Sequence, residues 1–362
     1  MMRRLALLAL ALSAACAGAR RAPPAAEQVA FAPGEPVPGP AERDLAGKNE
    51  EELAALGAAA TQAGDVERAA AAWARLADAF PASPRAPEAR LRAGLAYQRA
   101  GAWRLALERF RARAAGPGDA AGALEAEFGA AECRYHLGEL DEAAAALAGL
   151  AGRPGLEPAA RIRALALHGV VERDAGRAAE AERSLRLAVA RFEEASAAER
   201  LEPYFAAQAQ YYLGELYRDR VAAVRLDPST GDADALHGAL ERKSEALLSA
   251  QGEYLRAIRL GDARWAVAAG ARVGELYDGL RRELLEAPLP PGLDAARADA
   301  YRAELRGQVA VLASKAASAY EQTLDWARRA GVDDPALLDG AREALSRLEQ
   351  AAAGEAPAVP SR

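Results

Sequence analysis

This 362-residue chain is poor in the residues that build sheets, staple small folds or line metal sites. Val, Ile and Thr are sparse, which argues against a sheet. Aromatic residues make up 6%, so a core must be thin and close-packed, as where helix lies on helix. Two cysteines, Cys16 and Cys133, are too few for a disulfide framework. The three histidines, His136, His168 and His237, lie far apart. Cys133 and His136 share a helix face at a spacing of three, but two ligands alone do not make a zinc site. No phosphate-binding glycine loop, no G-x-S-x-G elbow and no H-E-x-x-H pair occurs. The sequence therefore implies no catalytic group, no metal, no cofactor and no small-molecule substrate. A basic stripe is also missing. The net charge of −6 argues against a nucleic-acid partner.

Ala, Leu, Arg and Glu dominate what is there. All are strong helix formers, and the expected fold class is all-α. The N-terminus reads MMRRLALLALALSAAC. Two arginines precede an apolar stretch from Leu5 to Leu12, and small residues follow, which is a secretory signal pattern. The apolar run is too short to span a bilayer, which takes about 20 residues. The ending Ser13-Ala14-Ala15-Cys16 resembles the lipobox of bacterial lipoproteins, with Ser13 where that family usually carries Leu. The resemblance implies a signal peptide over residues 1–16 that ends at Cys16, with removal of the residues before Cys16 and lipidation of Cys16. Ala17 is not the Asp that resembles an inner-membrane retention signal, so the implied address is the outer membrane, facing the periplasm. A secreted or soluble periplasmic protein is the alternative. Residues 17–48 are rich in Pro, Ala and Gly and read as a disordered tether.

Four glycines, Gly64, Gly101, Gly138 and Gly176, follow one another at steps of 37, 37 and 38 residues. Seven residues before each stands a small residue: Gly57, Gly94, Ala131, Gly169. Five after each stands Ala: Ala69, Ala106, Ala143, Ala181. Four further on comes a large apolar group: Trp73, Phe110, Leu147, Leu185. The glycine reverses the chain between two helices, the small residues let the helices approach, and the bulky one fills the gap. These landmarks resemble the tetratricopeptide repeat, a helix-turn-helix unit of about 34 residues. The resemblance covers residues 49–195 as four units and implies a helical-hairpin solenoid.

Residues 196–350 are looser. Gly-Glu-Leu-Tyr occurs at 214–217 and again at 274–277, as if in the first helices of two further units. Leu226–Gly238 reads as a polar loop, followed by a helix from Ala239 to Leu260. Asp294 is a candidate N-cap for a long helix to Ala330, and a last helix ends near Gln350. Residues 351–362 read as a disordered tail. This half is loosely similar to tetratricopeptide proteins of envelope machines such as gliding motility.

In the tetratricopeptide family the first helices line a concave groove. The resemblance places Gln98, Arg99, Glu132, Tyr135, His136, Arg173, Tyr211, Glu215 and Arg218 in it, to take a peptide or a partner protein. The family's Lys and Asn clamp for a C-terminal carboxylate is absent, since the chain has three lysines and one asparagine, Asn49. Trp265 and Trp326 are expected to pack. The implied function is a non-enzymatic scaffold that binds envelope proteins and is held to the membrane by its N-terminal lipid. A cytoplasmic adaptor and an accessory subunit of a peptidoglycan-remodelling enzyme are the alternatives.

Overall fold

The computed structural model describes residues 45–196 and 200–355. The leader with Cys16, residues 17–44 of the expected tether and residues 356–362 lie outside them. The described residues form thirteen α-helices and one 3₁₀ turn, with no strand among them. The chain divides into two compact bodies, one ending at Arg177 and one beginning at Ala178.

The first body contains α1 (Glu50–Ala63), α2 (Val66–Ala79), α3 (Ala86–Arg99), α4 (Trp103–Ala114), α5 (Ala120–His136), α6 (Leu140–Gly152) and α7 (Pro158–Asp174). Each packs on the next, and α3 also touches α5. A capping box opens α1: the Glu52 amide donates to the Asn49 side chain at 3.0 Å, and the Asn49 amide donates to the Glu52 carboxylate at 2.8 Å.

The four turn glycines all have left-handed backbones, with φ of 72°, 71°, 78° and 79°. The residue after each glycine donates to the same carbonyl five positions back: Asp65 to Ala60, Ala102 to Tyr97, Glu139 to Arg134 and Arg177 to Glu172, all at 2.8–2.9 Å. These are Schellman caps, which require a residue at positive φ. The 37-residue step is therefore a repeated backbone event.

The side chains around those turns interlock. Ala69, Ala106 and Ala143 are fully buried. A Cβ added to Gly57 would lie 2.6 Å from the Trp73 ring, and one added to Gly94 would lie 2.6 Å from Phe110. Phe110 also meets Gly129 of α5 at the same distance, so its ring is gripped between glycines of α3 and α5. Phe128, Ala131, Ala143 and Leu147 fill the corresponding place one step on.

The second body contains α8 (Ala178–Ser196), α9 (Tyr204–Ala223), α10 (Ala233–Leu260), α11 (Ala263–Glu286), α12 (Ala295–Ala330) and α13 (Pro335–Glu355). Consecutive helices pack, and α11 also touches both α9 and α13. The glycine-to-bulky lock recurs with tyrosines. Gly214 of α9 sits against Tyr254 of α10, and Gly274 of α11 against Tyr320 of α12. Asp294 caps α12 as expected, accepting from the Arg297 amide at 2.9 Å.

Two boundaries differ from the sequence reading. Helix α10 starts at Ala233, not Ala239, because Asp232 accepts from the Asp234 and Ala235 amides at 3.1 and 2.9 Å and starts the helix inside the polar segment. The last helix continues to Glu355, so residues 351–355 extend α13. Gly176 makes its turn in the first body, while Ala181 and Leu185 belong to the second.

Candidate functional site

Within the first body, α5 and α7 are tied at both ends. Near their starts, Arg163 of α7 donates from both terminal nitrogens to Glu125 of α5, at 2.6 and 3.0 Å. Its guanidinium also lies 4.1 Å over the Phe128 ring. Near their ends, the Tyr135 hydroxyl donates to Asp174 Oδ2 at 2.6 Å. The other oxygen of Asp174 accepts from Arg173 at 3.2 Å.

His136 lies next to this pair. Its ring stacks on Trp103 of α4, with centroids 3.9 Å apart and planes at 12°, and it meets Tyr135 edge-on at 5.2 Å. Covering one face of the imidazole costs its charged form solvation. The His136 pKa therefore lies below the ordinary histidine value, with Glu132 partly opposing the shift.

Tyr135, His136 and Arg173 lie near one another through Trp103 and Asp174, two residues the sequence reading did not single out. Trp103 begins α4 two positions after the turn glycine Gly101, and Asp174 stands two before the turn glycine Gly176. Those fixed offsets were the available signal. Glu132 is half-buried beside them, one turn before His136. On α3, Arg99 is exposed, and the Gln98 side-chain oxygen is buried without a hydrogen-bond partner.

Cys133, one turn earlier on α5, packs into the core beside Trp103. It is fully buried, and burial, with Glu132 adding to it, pushes its thiol pKa up to about 12. A thiol of this kind is neither a nucleophile nor a metal ligand at neutral pH.

In the second body the sequence reading is corrected. Tyr211 and Glu215 do not line a surface. Both are buried, Glu215 with 4% exposure. Tyr254 of α10 donates to Glu215 Oε1 at 2.6 Å, and Arg218 donates to Oε2 at 2.6 Å. Arg272 of α11 donates from Nε to the Tyr211 hydroxyl at 3.0 Å and to Glu215 Oε1 at 3.1 Å. From Nη1 it reaches both oxygens of Glu275 at 2.7 Å. Arg218 Nη1 adds a longer contact to Glu275 at 3.4 Å.

Two carboxylates therefore meet two guanidiniums, and both oxygens of Glu215 are occupied. Such a network joins α9, α10 and α11 and fixes their register. It holds no accessible base. Burial keeps the Tyr211 and Tyr254 hydroxyls protonated, far above their ordinary range. Only Arg218 of this trio reaches the surface, with 27% of its side chain exposed.

Trp265 packs among Tyr204, Tyr211 and Tyr212, and Trp326 packs beside Val267 and Leu338. Among the described residues no three His, Cys, Asp or Glu side chains converge as a metal site would require. None of the described helices is long and apolar enough to cross a membrane. A small cavity of about 60 Å³ lies in the second body, lined mainly by leucines, among them Leu226, Leu240, Leu284 and Leu305. No known protein-family model matches the chain, and no curated protein matches it.

Proposed function

We propose that this chain is a non-enzymatic scaffold of the bacterial envelope, built as an array of tetratricopeptide-type hairpins. It is carried by a lipid on Cys16 at the periplasmic face of the outer membrane. The observation behind this reading is the turn repeated at Gly64, Gly101, Gly138 and Gly176 with one cap geometry, joined in the first two units by a glycine-to-bulky interlock. A hairpin that buries its faces only against its neighbours leaves an extended surface free, and proteins of this kind use that surface for partners.

The binding face is the one where the first helices end: Gln98 and Arg99 of α3, Glu132, Tyr135 and His136 of α5, and Arg173 of α7. Tyr and Arg are the residue types enriched where binding energy concentrates. Trp103 and Asp174 hold that cluster in shape. Arg218 offers a separate contact on the second body's own α9. The partner is a peptide or an envelope protein, and no bond is made or broken.

The test is crosslinking of the full-length protein in native envelopes, followed by identification of what is recovered. Envelope proteins are expected, with recovery reduced several-fold in a Tyr135→Ala/Arg173→Ala variant. Recovery only of cytoplasmic proteins would overturn the envelope reading, and recovery unaffected by the double variant would overturn the face.

A further inference from the structure

The charges of the second body are balanced at most places, as the pairing of Glu215 and Glu275 with Arg218 and Arg272 illustrates. Around Asp278 of α11 the pairing is uneven, with several guanidiniums on one carboxylate. Its side chain is 3% exposed and is surrounded by three guanidiniums. Arg281 donates to Oδ1 from Nη2 at 2.9 Å and from Nε at 3.2 Å. On the other oxygen, Arg282 Nε stands at 3.2 Å, and Arg347 Nη2, arriving from α13, at 3.9 Å. Among the described residues no second carboxylate pairs with any of these three arginines.

Asp278 is thus one carboxylate shared by three guanidiniums. The positions are graded. Arg281 is mostly buried at 19% side-chain exposure, whereas Arg282 and Arg347 are open at 50% and 59%. Asp278 thus acts as an anchor that holds guanidiniums of two helices side by side, in the way an outer carboxylate orients the ligands of a site. Arg282 commits only Nε to Asp278, and Arg347 reaches it only at long range. Their remaining forked donors match an anion with several oxygens better than a single carboxylate. The Tyr320 side chain lies near the same groups, with its ring against Gly274 and its hydroxyl kept protonated by burial and by the nearby Glu275 and Asp278.

We propose that Arg282 of α11 and Arg347 of α13, held by Asp278, form a binding site for a phosphate-type oxyanion, either free or as the headgroup of an anionic lipid. The site lies in the second body and does not depend on the partner surface of α3, α5 and α7.

The experiment is calorimetric titration of the full-length protein with inorganic phosphate and with pyrophosphate at low ionic strength. One saturable site is expected. Affinity should fall about tenfold or more in Arg282→Gln/Arg347→Gln, since each removed charged donor costs about a factor of ten. Arg328→Gln/Arg329→Gln serves as control. It removes the same charge from α12, where both arginines pair with the exposed Asp325, and should leave binding unchanged. If the first double variant unfolds, Arg347→Lys retains the charge without the fork and should still weaken pyrophosphate binding.

The source is then separated with phosphatidylcholine vesicles containing or lacking phosphatidic acid, using full-length Cys16→Ser protein. Retention on acidic vesicles that is lost in Arg282→Gln/Arg347→Gln assigns a lipid headgroup. Phosphate binding without such retention assigns a free anion. No saturable binding, or equal loss in both double variants, overturns the site.

Discussion

At the scale of the residue, glycine here is a packing element as much as a turn element. Gly94 lies inside α3, where replacement by Ala ordinarily adds up to about 1 kcal/mol of stability. The new methyl would stand 2.6 Å from Phe110, and Phe110 cannot retreat, because Gly129 closes on it from α5. Gly94→Ala is therefore expected to destabilise the protein by about 1–3 kcal/mol, read as a lower urea midpoint. An unchanged or higher midpoint would refute the interlock. His136 gives a second test. Its folded pKa is depressed by the stack on Trp103, so as pH falls the unfolded chain takes up a proton first. The unfolded state then holds more protons, and stability falls as pH drops through about 6.5. His136→Gln should flatten that part of a plot of urea midpoint against pH.

At the scale of the element, what the sequence revealed depended on how far each device reaches along the chain. The first-body locks join residues 16 apart, such as Gly57 to Trp73 and Gly94 to Phe110, so their pattern repeats visibly. In the second body the same lock spans Gly214 to Tyr254 and Gly274 to Tyr320, across longer helices and loops. Gly-Glu-Leu-Tyr could be seen twice, but its distant tyrosine partners could not. Tyr211 and Glu215 looked like a binding face for the same reason. What buries them, Tyr254 and Arg272, arrives from 39 and 57 residues beyond Glu215. The start of α10 was missed because Asp232 sits in a segment rich in turn residues and acts as a cap only once the helix exists. Two element-level tests follow from the local devices. Ala143→Trp should overfill the fully buried contact of α6 with α5 and cost about 1–3 kcal/mol by thermal unfolding. Asn49→Ala should remove the capping box of α1 and cost about 1 kcal/mol; a smaller loss than in an exposed control position would count against the cap.

At the scale of the whole molecule, the tests concern address and partnership. Intact mass of the protein extracted from its native membrane is expected to match a chain beginning at Cys16 with added acyl groups. A mass that includes residues 1–15 would remove the lipid from the proposal. The proposed face was legible in part. Tyr135, His136 and Arg173 were placed by the family resemblance, whereas Trp103 and Asp174 stand at fixed offsets from turn glycines but join the cluster through a ring stack and a hydrogen bond that only the structure displays.

Cys133 has a use that its packing creates. Its thiol is sealed within α5 and its pKa is pushed up to about 12, so a thiol reagent meets it only when that part of the protein opens. With Cys16 acylated, it would be the one thiol left to react. The rate at which the native protein consumes such a reagent then becomes a clock for local opening. Read with and without a bound partner, that clock would show how far occupation of one surface quiets the interior behind it.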